Sequence, residues 1–83
     1  MSWFNPIQKI LGANQILYKK KVFEIYGFYM WKNGAGVSRI ESINGAIVKH
    51  TLFDLNGKWL SEQSNTLDYF YENTGKRVQP KVR

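Results

Sequence analysis

Between residues 22 and 62 the apolar positions fall into short blocks, and the same turn signal separates them at near-regular intervals. The signal is Asn-Gly, at Asn33-Gly34, Asn44-Gly45 and Asn56-Gly57. This pair tolerates the positive φ that both central positions of a type I′ hairpin turn demand. The intervals leave about nine or ten residues per strand, within the usual range of about 3–10. The segments GVSRIESI, AIVKHTLFDL and KWLSEQ fill them. With the preceding strand they predict an antiparallel meander over residues 15–62.

That first strand lies within QILYKKKVFEIYGFYMW, residues 15–31, read as one long strand or two joined at the lysines. Its even positions from residue 22 are Val22, Glu24, Tyr26, Phe28 and Met30; its odd ones are Phe23, Ile25, Gly27, Tyr29 and Trp31. Both faces are mainly apolar, unlike a strand with one wet face. A helix must cover the second face, or that face binds something. Gly27 marks a bulge or bend that lets the strand serve two sheets or curl into a barrel. Further on, Val48, His50 and Leu52 share one face, while Lys49 shares the other with Ile47, Thr51 and Phe53. A bulge near His50 or coverage of both sides accounts for that mixture.

Residues 1–12 predict a short helix, with Asn5 as cap, Pro6 at the first position, Ile7, Ile10 and Leu11 on one face, and Gly12 as the stop. The polar SEQSNT reads as a linker. Residues 66–79 read as a closing strand pair or a short helix. Four consecutive β-favouring residues favour the strand pair, while a cap at Asn65 or Thr66 with Leu67, Phe70 and Tyr71 at helical spacing fits the helix. NTGKR reads as a turn with two exposed cations, and residues 80–83 as a basic tail. The expected fold is therefore mainly β: an antiparallel meander of four to six strands with Asn-Gly hairpin turns, forming a curled sheet or small barrel, plus a short N-terminal helix.

Composition narrows the function. Eighty-three residues make a single domain, and the absence of Cys removes disulfides and thiolate sites. Three Trp, five Tyr and five Phe supply a small core. No 18-residue apolar run suggests a membrane span. No secretory leader is expected from MSWFNPIQKILG, which has neither a basic leader nor a cleavage site. The expected location is the cytoplasm, or a virion if the gene is viral. The net charge is +6 and the basic residues gather toward the two ends, which favours acidic partners.

Candidate chemistry is sparse. One His and no Cys leave little for metal binding or nucleophilic catalysis, and His50 inside a predicted strand reads as structural. NGAGV reads as a hairpin turn, since no helix follows to make a phosphate cradle. No enzyme activity, metal or cofactor is expected. Lys19, Lys20, Lys21, Lys76, Arg77, Lys81 and Arg83 are the candidate contacts for nucleic acid or an acidic partner, through counterion release. Tyr18, Phe23, Tyr26 and Tyr29 are placed to stack bases beside them. Lysines at this density also serve as a solvated edge that blocks aggregation. Trp3, Phe4, Tyr29, Trp31, Trp59, Tyr69 and Tyr71 form a candidate aromatic partner surface. The leading expectation is a small non-catalytic protein acting through a protein partner or larger assembly, as inhibitor, adaptor or assembly subunit. A phage or mobile-element gene would suit its size, and a homo-oligomer is compatible with the aromatic surplus. The alternative is a nucleic-acid-binding protein using the basic ends and the sheet aromatics.

Overall fold

A computed structural model describes residues 9–12 and 14–79, with side-chain detail from residue 14 onward. The chain is mainly β, with eight described strands in two antiparallel sheets and one short helix. This exceeds the four to six strands expected. β1 (Lys9–Gly12), β2 (Gln15–Tyr18) and β3 (Lys21–Glu24) form a three-stranded sheet. The larger sheet holds β4 (Phe28–Trp31), β5 (Val37–Asn44), β6 (Ile47–Phe53), β7 (Trp59–Thr66) and β8 (Thr74–Val78), in the order β7-β6-β5-β4-β8. Its two edges, β7 and β8, do not pair with each other, so the sheet is open and no barrel forms.

The expected N-terminal helix is corrected where it is described: residues 9–12 are strand, paired with β2. Residues 1–8, including Trp3 and Phe4, and the tail 80–83, including Lys81 and Arg83, lie outside the described residues.

Residues 15–31 make three strands rather than one. Lys19 and Lys20 form the turn between β2 and β3, with Lys19 at φ 56. The chain then changes sheets at residues 25–27. Ile25 N still donates to Asn14 O at 2.8 Å, whereas Tyr26 N donates to Ile40 O at 2.7 Å in the larger sheet. Tyr26 takes φ 68, a costly conformation for an aromatic residue. Gly27 is required beside it: a Cβ there would lie 3.0 Å from Glu24 O and 3.2 Å from the Tyr29 ring.

The glycine of each Asn-Gly pair lies in a connection between consecutive strands of the larger sheet, but the turn chemistry differs from type I′. Gly34, Gly45 and Gly57 have positive φ, and their asparagines do not. Asn44 is the last residue of β5, paired with Ile47, so the central residues of that turn are Gly45 and Ala46. Glycine first and negative φ second is the type II′ pattern. The β4–β5 and β6–β7 loops are longer. Asn33 Oδ1 accepts from Ala35 N at 2.9 Å, and Asp54 Oδ1 accepts from Asn56 N and Lys58 N. Asparagine and aspartate thus serve as side-chain acceptors within the turn.

SEQSN is not a linker but most of edge strand β7, held by a continuous ladder to β6. The mixed pattern around His50 comes from a bulge in the facing strand, where Ile40 pairs with His50 and Ser42 with Lys49, leaving Glu41 extra.

The LDYFYEN segment is helix α1 (Leu67–Asn73), and NTGKR ends that helix and begins β8 instead of forming a turn. Thr66 Oγ1 caps α1 by accepting from Tyr69 N at 3.1 Å. Thr74 Oγ1 closes it by donating to Phe70 O at 2.6 Å. A seven-residue helix persists through burial of its inner face rather than propensity. Phe70, 0% exposed, lies 5.0–6.0 Å from the rings of His50, Trp31, Phe23 and Tyr29. Tyr18, Ile40, Val48 and Leu67 complete this core. α1 therefore covers one face of the larger sheet, and the β2–β3 hairpin packs beside it.

Candidate functional site

Two regions bear on function: a buried polar chain beneath α1, and an open basic cleft where the hairpin meets β8.

The buried chain begins at Trp31. Its indole Nε1–H only donates, and it gives its proton to Ser38 Oγ at 2.7 Å. The Ser38 hydroxyl in turn donates to His50 Nδ1 at 2.9 Å, which places the imidazole proton on Nε2, donating to Asn65 Oδ1 at 2.6 Å. Burial holds the His50 pKa below its usual value, partly offset by the Asn65 bond. A serine bonded to a histidine is the beginning of a nucleophilic site. Here, however, Ser38 and His50 are both 0% exposed, and the Ser38 oxygen already accepts from Trp31. The chain ties β4, β5, β6 and β7 together and presents no nucleophile to solvent. Among the described residues no three His, Asp or Glu side chains cluster to hold a metal.

The cleft is open and about 800 Å³ in volume. One wall is the β2–β3 hairpin with Lys20, Lys21 and Val22; the opposite wall is β8 with Thr74, Gly75, Lys76 and Arg77. Lys32 from the β4–β5 loop, Tyr71 and Glu72 from α1, and Tyr29 of β4 also line it. Among the described residues five cationic side chains and one carboxylate, Glu72, thus line the cleft.

Lys21 is the structural centre of this arrangement. Its ammonium donates to Thr74 O at 3.2 Å, to Thr74 Oγ1 at 3.3 Å and to Gly75 O. It also lies 5.0 and 5.4 Å from the centroids of Phe23 and Tyr29. Burial first, and the Lys32 charge second, lower its pKa to about 8. Arg77 of β8 pairs with Glu24 of β3. On the far side of the hairpin, Lys19 Nζ and Tyr18 Oη both donate to Asp68 Oδ1, at 2.7 and 2.9 Å. Those bonds lower the Asp68 pKa and raise that of Lys19; burial first, then Asp68, raises that of Tyr18.

The structure therefore unites Lys20 and Lys21 with Lys76 and Arg77, more than 50 positions apart in the chain. Lys19 is excluded from the cleft and bound to Asp68. Lys32 joins it, though an isolated lysine beside a turn carries no signal in the sequence. The proposed stacking surface is corrected: Tyr18, Phe23 and Tyr29 are buried core, and exposed Tyr26 does not line the cleft. The aromatic partner surface is corrected too. Tyr29 and Trp31 are core, Tyr71 is half-buried, and only Trp59 and Tyr69 of the described members stand exposed.

On the face away from α1, Met30, Val37, Phe53 and Trp59 pair in sequence across β4, β5, β6 and β7. They make one apolar row, with Met30 41% and Trp59 58% exposed. The adjacent row carries an Arg39–Glu41 ion pair at 2.6 Å, and Thr51 donates to the same carboxylate at 3.0 Å. No helix among the described residues is long and apolar enough to cross a membrane. Comparison with protein-family models, with curated proteins and with solved structures finds no match to this chain.

Proposed function

We propose that this is a non-catalytic nucleic-acid-binding protein whose contact surface is the basic cleft between the β2–β3 hairpin and β8. The observation that carries this reading is the convergence of five cations in one cleft, of which only Arg77 has an ion-pair partner, Glu24, among the described residues. Like charges gathered in one cleft repel, and a half-buried ammonium adds a desolvation cost. A fold tolerates such a cluster when an anionic ligand relieves it, and perturbed groups in clefts mark functional sites more often than chance. A phosphate backbone supplies closely spaced negative charge and releases counterions on contact.

Fluorescence anisotropy of labelled single- and double-stranded DNA and RNA, titrated across a salt series, tests the reading. Binding that weakens steeply with salt supports it. No binding at low salt overturns it, and capture of an acidic protein but no nucleic acid would reassign the cleft.

A second reading, action through a protein partner or as part of a larger assembly, has its own support in the apolar row Met30–Val37–Phe53–Trp59. Exposed Trp is the residue type most enriched at binding hot spots. An assembly using this row would lose association on Trp59→Ser, measured by light scattering, while nucleic-acid affinity stayed unchanged.

A further inference from the structure

The five cations of the cleft differ in what each already touches. Lys20, Lys32 and Lys76 have side chains without an ion pair or hydrogen bond among the described residues. Lys21 is the opposite case. An ammonium has three protons to donate, and this one faces three acceptors: the Thr74 carbonyl, the Thr74 hydroxyl and the Gly75 carbonyl. Arg77 has its charge opposed by Glu24. Among the described residues no stacking platform lines the cleft: the half-buried Tyr71 ring packs against the Tyr18 ring at 5.5 Å and the Lys19 ammonium at 5.2 Å, and Tyr29 is buried.

We propose a division of labour in the cleft: Lys20, Lys32 and Lys76 contact successive backbone phosphates without regard to base sequence, while Lys21 is a positioning residue that ties β8 to the hairpin. This inference rests on the nucleic-acid reading above. Phosphate contacts carry no sequence information by themselves, so a cleft that offers free ammonium groups and no base platform reads backbone alone. Lys21 sets the distance between its two walls. Its bonds run from β3 to the first two residues of β8, immediately before Lys76 and Arg77. The groups facing it are the Thr74 and Gly75 oxygens of β8, the Phe23 and Tyr29 rings of β3 and β4, and Lys32 of the β4–β5 loop. Lys20, Glu72, Lys76 and Arg77 line the same cleft. With a pKa of about 8, Lys21 loses its proton well before an ordinary lysine near 10.4, and the tie loses a donor and its charge with it.

The test is the slope of log affinity against log salt on a mixed-sequence labelled duplex, for the wild type and for K20Q, K32Q, K76Q, K21Q and K21R. Each of the first three is expected to flatten the slope by about 0.9, the share of one phosphate contact. K21Q is expected to weaken binding by a similar factor at every salt concentration, leaving the slope unchanged. Raising the pH from 7 to 9 should weaken the wild type but not K21R, whose guanidinium stays charged. Circular dichroism melting confirms that each variant folds. A K21Q slope as flat as that of K76Q would overturn the division, as would unchanged slopes in K20Q, K32Q and K76Q. Changing the base sequence of the duplex should leave affinity unchanged, and strong sequence preference would overturn backbone-only contact. A wild type that binds no nucleic acid at low salt fails at the earlier step and overturns both readings together.

Discussion

The two faces of the five-stranded sheet are built from alternate residues of the same strands, yet they meet different fates. Toward α1 lie Tyr29, Trp31, Ser38, Ile40, Val48 and His50, all buried. On the opposite face the Met30–Val37–Phe53–Trp59 row is only partly covered, although it is as apolar. What distinguishes the faces is the path of the chain between β7 and β8. That connection must cross the sheet from one edge to the other, and it lays Leu67 and Phe70 over a single side. Apolar character makes a face able to be buried; the crossover selects which one is. The covered side can then afford a polar chain, because each member of Trp31–Ser38–His50–Asn65 has a partner.

Substitutions on the two faces should separate accordingly. Phe70→Ala removes the ring at the centre of the covered side and is expected to cost about 3–5 kcal/mol, read by urea denaturation. A cost below 1 kcal/mol would mean that α1 does not close the core. Ser38→Ala leaves both the Trp31 indole N–H and His50 Nδ1 without their partner, at about 1–3 kcal/mol for each buried group left unpaired. The His50 imidazole resonances should shift in the same variant. Phe53→Ala, on the open side and half-buried, is expected to cost about 1–2 kcal/mol, below the usual range for a fully buried ring.

Acid should act through the covered face. His50 has its folded-state pKa held below the ordinary value of about 6.5. Its contribution is therefore complete above pH 6.5 and is lost as pH falls through the folded value. Unfolding midpoints in urea should drop between pH 7 and 5, before the Asp68 carboxylate bound to Lys19 is protonated at lower pH. His50→Gln should flatten that dependence. The smallest effect belongs to Trp59→Ser, expected to change stability by no more than about 0.5 kcal/mol. A larger loss would show that the open face is covered after all.

Parts of this architecture were legible before folding. The glycines at 34, 45 and 57 mark connections between strands because positive φ is a local demand that few other residues meet. Gly27 marked the bend for a different reason: a Cβ there would crowd Glu24 O and the Tyr29 ring. The sequence leaves a short helix and a strand pair both open over 66–79, because Tyr69, Phe70 and Tyr71 favour strands locally; the Thr66 cap with burial of Leu67 and Phe70 decides for the helix. β7 was misread because SEQSN offers no apolar face to detect; its ladder to β6 makes it a strand. The cleft was half legible. Its lysines and arginine stood out as basic clusters near the two ends, but Lys19 and Lys20 look alike in sequence, and one is bound to Asp68 while the other lines the cleft.

What the sequence by itself determined was the set of local conditions: a β-rich chain, glycine at the bends, one His and no Cys, and a surplus of positive charge. Those follow from residue type and near neighbours, whose effects act over a few positions. The tertiary structure alone decided which apolar face is closed, that α1 is a helix, and that the two lysine clusters meet. Each of those depends on contacts between residues about 20 to 55 positions apart. Burial and charge density act through space, so only the folded path of the chain could join Lys21 to Thr74 and make one cleft from two ends.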